Sequence, residues 1–260
     1  MKSNQWWDKS WNVVTGCSNG CEYCWARKMA KRLWGMRLKK YRNGFYPTFH
    51  PEELDNPLLR SKKPKIIAVS LMGDLFDKKI DEQAIIFSIY PEMENCPQHK
   101  FVIITRQIER LYSLFYGELG SYYWNEDKPI PNIFHLLTIT TQKEADEKIP
   151  ILLRFKKESD WEVGLSIEPI LEEIDISKYI KYLDWVILGW QRPFPYKSPD
   201  NFMTLMSAGF DIISLCNDNN IPIFTKNVPI QEKSDSFSCM PEKGILEMKS
   251  SLKYLEFSKD

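Results

Sequence analysis

No stretch of this 260-residue chain is apolar for long enough to cross a membrane. The opening Met1-Lys2-Ser3-Asn4-Gln5-Trp6-Trp7 lacks the apolar core of a secretion signal. The expectation is a cytoplasmic protein with no membrane partner. Internal repeats, low-complexity tracts and linkers are missing as well. Excess charge of either sign is missing, because 35 basic residues balance 35 acidic ones; a chain so balanced has no global attraction to nucleic acid. One absence is local. From Trp25 to Pro51 there is no Asp or Glu, while the same span holds Arg27, Lys28, Lys31, Arg32, Arg37, Lys39, Lys40 and Arg42. Trp34, Tyr41, Phe45, Tyr46 and Phe49 are interleaved with them. Such a segment suits an anionic, base-containing partner, or else is a solvated helix face followed by a loop that packs its aromatics on the core.

What is present is concentrated at one place. Three of the six cysteines fall in the loop Cys17-Ser18-Asn19-Gly20-Cys21-Glu22-Tyr23-Cys24, a C-x3-C-x2-C pattern. Three thiolates can hold three irons of a [4Fe–4S] cube, since each iron takes one cysteine. The fourth iron is then open, and an open metal position serves chemistry, as in catalytic zinc sites. Two alternatives stand beside this. The cysteines could bind zinc with one further ligand, although no second C-x2-C pair is present and the nearest histidine is His50. They could also be buried structural thiols. Cys96, Cys216 and Cys239 are scattered and read as structural, so the chain does not carry a secreted disulfide framework.

Seven short apolar runs alternate with amphipathic stretches. The runs are Trp11–Thr15, Lys65–Ser70, Phe101–Thr105, Phe134–Thr140, Val163–Glu168, Asp184–Gly189 and Ile221–Thr225. They are rich in β-branched residues and mostly apolar at consecutive positions, the pattern of strands covered on both faces in a parallel sheet. Helices are expected over Glu22–Leu33, Asp81–Tyr90, Gln107–Leu119, Thr141–Lys157 (in pieces around Pro150) and Ser198–Asn219, with Ser198 as N-cap before Pro199. The alternation reads as an α/β barrel or an open doubly wound sheet, with function at the carboxyl ends of the strands. Those ends carry Ser70 and Met72-Gly73-Asp74, then Thr105-Arg106-Gln107, Thr138, Thr140 and Thr141. Further along come Ser166 and Glu168-Pro169, Gly189-Trp190-Gln191-Arg192, and Thr225-Lys226-Asn227. Each alone could simply cap the next helix; together they imply a shared pocket.

The cysteine loop resembles that of the radical S-adenosylmethionine (SAM) superfamily, Tyr23 before the last cysteine included. More narrowly, four segments resemble an uncharacterised phage-type family of radical SAM-like proteins, distantly similar to spore photoproduct lyase. They are Trp11–Cys17 with the following cysteines, Met72-Gly73-Asp74-Leu75-Phe76, Ser166-Ile167-Glu168-Pro169 and Trp185–Gly189. The resemblance implies a partial (β/α)6 TIM-like barrel over residues 1–230, with room for one extra strand, and a C-terminal extension over 231–260 packing on it. It implies that Cys17, Cys21 and Cys24 bind the [4Fe–4S] cluster and are the catalytic residues. SAM would lie against Tyr23, Gly73, Asp74, Thr140, Ser166, Glu168 and Gly189, with Asp74 taking its amino group. A flavodoxin or ferredoxin would reduce the cluster, and SAM cleavage would give a 5′-deoxyadenosyl radical that abstracts hydrogen from substrate. Arg106, Gln191, Arg192 and Lys226 are the expected substrate contacts, for an anionic nucleotide or nucleic acid base. A peptide or small metabolite is the alternative substrate, and a non-catalytic zinc- or cluster-stabilised binding module the alternative class. Two departures from the family pattern are Met72 with Asp74 in a turn that is usually Gly-Gly-Glu, and Gly189-Trp190-Gln191-Arg192-Pro193 after the sixth strand.

Overall fold

A computed structural model describes residues 5–117, 129–191 and 199–228. The chain is a mixed α/β fold whose strands β1 (Lys9–Trp11), β4 (Ile66–Val69), β5 (Lys100–Thr105), β6 (Ile133–Thr138), β7 (Glu162–Ile167), β8 (Trp185–Gly189) and β9 (Ile223–Lys226) follow one another in that order in a seven-stranded sheet. The pairs β1–β4, β4–β5, β5–β6 and β8–β9 are parallel. Continuous burial matches the apolar runs: all six residues of β6 and all five of β8 are buried, as parallel strands sandwiched by other elements require.

The first expected strand is divided. Lys9–Trp11 joins the main sheet, whereas β2 (Val14–Thr15) pairs antiparallel with β3 (Thr48–Phe49). The break falls at Asn12, whose Oδ1 accepts from the Met72 amide at 3.1 Å, while the Val14 amide donates to Ser70 Oγ at 3.2 Å. The run Val13-Val14-Thr15 has strand propensity, but the Val14 amide goes to Ser70 and the Val13 carbonyl to the His50 amide, and the pair Val14–Thr15 joins β3 instead of the main sheet.

Helix α1 (Trp25–Gly35) begins three residues after the expected Glu22, with Cys24 as its N-cap. It ends where Arg37 adopts a left-handed conformation (φ 60°) and the Leu38 amide reaches back to the Leu33 carbonyl at 3.2 Å. Helix α2 is interrupted: Glu82–Ala84, a π-helical turn Ile85–Ile89, then Tyr90–Glu94. Helices α3 (Ile108–Tyr116), α4 (Gln142–Ser159) and α5 (Pro199–Asp218) complete the set. The break expected at Pro150 does not occur; Ile149, Leu152 and Phe155 are fully buried on either side of it, and their packing holds the helix together despite the lost hydrogen bond. Ser198 and the 231–260 extension lie outside the described residues.

Two compact units divide the chain: Met1–Thr138 with Asp146–Gly164, and Ile139–Ala145 with Leu165–Asp260. The core of the first is built on aromatics. Tyr90, Phe115, His135, Phe155 and Trp161 pack with ring centroids 4.6–6.1 Å apart. Among the described residues no helix is long and apolar enough to cross a membrane.

Candidate functional site

The cysteine loop is fixed by contacts that lie far away in sequence. Gly16 bridges Gly73: the Gly16 amide donates to the Met72 carbonyl at 2.9 Å, and the Asp74 amide to the Gly16 carbonyl at 3.2 Å. Each of the two positions requires glycine, Gly73 for this approach and Gly16 for its own approach to Tyr46. A Cβ at Gly73 would sit 2.6 Å from the Gly16 carbonyl oxygen, and one at Gly16 (φ +82°) 2.3 Å from that of Tyr46. The loop is thereby held at the turn that follows β4.

Two buried aspartates then pin it. Asp77 Oδ2 accepts from both the amide and the hydroxyl of Ser18, each at 2.6 Å. Asp74 accepts four bonds: Oδ1 from Thr105 Oγ1 (2.7 Å) and the Phe76 amide (3.1 Å), Oδ2 from the Arg106 amide (3.1 Å) and Asn19 Nδ2 (3.2 Å). A carboxylate has about four lone-pair sites. An arriving amino group would therefore have to displace one of these donors; Asn19, on the cysteine loop, makes the longest bond. Burial pushes the Asp74 carboxyl above the usual Asp range, while the Thr105, Arg106 and Phe76 donors pull against it.

A third tie runs from β5. Arg106 Nη1 donates to Tyr23 Oη at 2.7 Å, and Gln107 Nε2 donates to Asn19 Oδ1. Tyr23, Gly73, Asp74 and Arg106 are thus brought together around the cysteines. Ser18, Asn19 and Asp77 belong to the same arrangement and were not among the residues expected from sequence. Their only local signal is a second carboxylate three residues after Asp74 and two polar residues inside the cysteine loop.

The thiols of Cys17, Cys21 and Cys24 are free and half-buried. Cys24 is the N-cap of α1, its Sγ accepting from the Arg27 amide at 3.4 Å; Cys17 Sγ accepts from the Asn19 amide at 3.4 Å. Amide donors to sulfur stabilise thiolate over thiol and tune the metal it binds. Burial, with Asp74, Asp77 and Cys21 adding to it, pushes the Cys17 thiol up to about 12. A bound cation reverses that balance, because coordination deprotonates a thiol outright. Free sulfurs with amide donors are ligands of the kind an iron–sulfur cluster takes. Among the described residues no group of three or more His, Cys, Asp or Glu is drawn together as a metal-holding set.

The remaining expected residues lie in the second unit. Thr140 donates through its amide and hydroxyl to Glu144 Oε2 at 2.8 and 3.0 Å, and the Glu144 amide donates to Thr141 Oγ1 at 3.2 Å. This is a reciprocal N-terminal cap of α4. Ser166 is buried, its carbonyl accepting from the Ile139 amide. Glu168 pairs with Lys226 (3.1 Å). Gly189 makes room for that carboxylate: a Cβ there would lie 2.7 Å from Glu168 Oε1. Lys226, read from sequence as a substrate contact, thus has a partner within the chain. Gln191 is half-buried just after β8, and Arg192 lies outside the described residues.

The profile of a family described as proteins of unknown function, DUF5131, matches residues 2–194. That span takes in the cysteine loop, Asp74, Asp77, Arg106, Glu168 and Gly189. No curated protein and no solved structure matches the chain. Because the match covers well over half of the 260 residues, this chain belongs to the DUF5131 family of proteins of unknown function.

Proposed function

We propose that this chain is a radical SAM enzyme built on a partial (β/α)6 barrel, with Cys17, Cys21 and Cys24 holding a [4Fe–4S] cluster and SAM completing the fourth iron. The observation that carries the reading is the anchoring of a C-x3-C-x2-C loop to the residues that follow β4 and β5, through Ser18–Asp77, Asn19–Asp74 and Tyr23–Arg106. Carboxyl ends of parallel strands are where α/β folds bind their ligands. When bound and reduced, such a cluster supplies the electron that cleaves SAM to methionine and a 5′-deoxyadenosyl radical, which takes a hydrogen atom from the substrate.

The chain's own part is to orient and enclose. Amides of Asn19 and Arg27 donate to two of the three sulfurs. Tyr23, held by Arg106, would form one wall of the SAM site, and Gly73 would let the cofactor approach the backbone. Thr140, Ser166, Glu168 and Gly189 are the proposed further SAM contacts. Arg106, Gln191, Arg192 and Lys226 are proposed to face an anionic substrate, a nucleotide or nucleic acid base. A reducing partner such as a flavodoxin or ferredoxin would donate the electron, in the cytoplasm.

The test is product analysis. Anaerobically reconstituted protein, given SAM and dithionite, should release 5′-deoxyadenosine and methionine in equal amounts. Cys17→Ala, Cys21→Ala and Cys24→Ala should release none. Iron-replete protein that leaves SAM intact would overturn the proposal.

A further inference from the structure

Helix α1 leaves the cysteine loop and turns an unusual face outward. Ala26 and Ala30 are buried and Leu33 partly so, which fixes the inner side. At about 100° per residue, the opposite side carries Lys28, Lys31 and Arg32, all exposed. Two indoles flank this ridge. Trp25 is 53% exposed and Trp34 55%; nine residues apart, they lie on opposite flanks, about 180° around the helix and roughly 13 Å along it. Each indole thus offers a ring face to solvent at an edge of the cationic ridge.

The surroundings repeat the sign. Arg37, Lys39 and Arg42 are exposed in the segment that follows α1. Lys40 belongs elsewhere, since it pairs with Glu53, and Arg27 lies over the Phe45 ring at 5.6 Å. With no Asp or Glu from Trp25 to Pro51, nothing on this segment neutralises the ridge from within.

We infer that the outer face of α1 binds single-stranded nucleic acid, the phosphates on Lys28, Lys31 and Arg32 and bases stacked on Trp25 and Trp34. Cations tracking a backbone and exposed aromatics offering a stacking plane are the two components of sequence-tolerant single-strand binding. The arrangement is poor for the other polyanions. A membrane-surface helix places its apolar residues together at the centre of one face with cations at the edges; here the cations hold the centre, with Trp25 and Met29 to one side and Trp34 to the other. A simple acidic peptide would satisfy the cations but brings no planar ring to stack on the indoles. A duplex would keep its bases stacked on one another and away from the indoles. The inference does not rest on the cluster chemistry, but the two meet in space: Cys24 is the N-cap of the helix and Trp25 its first residue.

The test is fluorescence anisotropy of the full chain with a labelled (dT)12, in chelator and without SAM, so its failure and that of the cluster proposal are distinguishable. Binding should weaken with salt at a slope of about −2 in log K against log[salt], from three phosphate contacts at about −0.7 each. Replacing Lys28, Lys31 and Arg32 together by Gln should bring that slope close to zero. Trp25→Ala and Trp34→Ala should each lower affinity roughly five- to a hundred-fold, as stacking on one aromatic does, while leaving the salt slope unchanged. Circular dichroism and thermal melting check that each variant is folded. The inference is overturned by no binding to (dT)12 at low salt, by binding that survives both sets of variants, or by stronger binding to a duplex, to polyglutamate or to anionic vesicles than to the single strand.

Discussion

Replacing Asp77 by Asn keeps the shape of the side chain and removes the charge that holds the cysteine loop. Asp77 is fully buried. Its Oδ2 takes two bonds from Ser18, and its Oδ1 accepts from the Lys79 amide at 3.0 Å. An Asn offers one acceptor atom and one donor atom. If the donor faces Ser18, the bond from the Ser18 amide is lost and the hydroxyl can only accept from the new Nδ2; if it faces Lys79, that bond is lost and those from Ser18 become neutral. Either way the change removes at least one hydrogen bond to a charged group, worth about 1.5–3 kcal/mol. Expressed as loop opening, this is about a ten- to hundred-fold rise in the detached population. Alkylation of Cys17, Cys21 and Cys24 in metal-free protein, followed by mass spectrometry, should accelerate accordingly. The buried Cys96 and Cys216 serve as internal standards. If the loss is instead felt globally, Tm should fall by about 3–12 °C for a chain of this size. Asp55→Asn, on an exposed residue, should do neither. Unchanged alkylation and unchanged Tm in Asp77→Asn would refute the anchoring argument.

Other expectations follow from single contacts. Gly73→Ala should break the Gly16–Gly73 bridge and cost about 1–3 kcal/mol, because the backbone atoms it meets cannot rotate away; hydrogen exchange at the Gly16 and Asp74 amides should speed up, and unchanged exchange would contradict the clash. His135 is buried with Nε2 against Tyr90 Oη (2.7 Å), and burial lowers its pKa to about 3. Between pH 6.5 and pH 3 the unfolded chain binds a proton that the native one refuses, so stability falls as pH drops through 6.5. At pH 5 the penalty is roughly 2 kcal/mol. Urea midpoints at pH 7 and pH 5 should therefore differ less in His135→Gln than in the parent, and equal differences would remove His135 from the account. Lys226→Ala should leave Glu168 without its partner and, on the proposed function, weaken SAM or substrate binding measured by equilibrium titration; unchanged affinities for both would take the Glu168–Lys226 pair out of the site.

Much of the scaffold was legible because its signal is local. Largely apolar runs such as Ile66–Val69 and Ile133–Thr138 read as strands covered on both faces of a parallel sheet, and that is where they lie. The cysteine spacing is equally local. What escaped is set by distance. Asp77 and Ser18 are 59 residues apart, and Asn19 and Asp74 are 55 apart; nothing in a short window signals that one will buttress the other. Val14 and Thr15 look like a continuation of the first strand, yet Asn12 and Ser70 divert the backbone. Pro150 looks like a break, yet tertiary packing around Ile149 and Leu152 outweighs it. Lys226 looks like an uncommitted strand-end cation, and only the folded chain sets Glu168 beside it. That Thr140, expected at the SAM site, also bonds Glu144 at the start of α4 is visible only in the folded chain.

The central claim is that Cys17, Cys21 and Cys24 hold a [4Fe–4S] cluster, and metal analysis of anaerobically purified full-length chain tests it most directly. The expected result is a brown protein with about four iron and four sulfide per chain. Alanine at any one of these three cysteines should abolish that content, and alanine at Cys96 or Cys216 should leave it intact. Colourless protein carrying one zinc, or equal iron loss from both groups of variants, would contradict it.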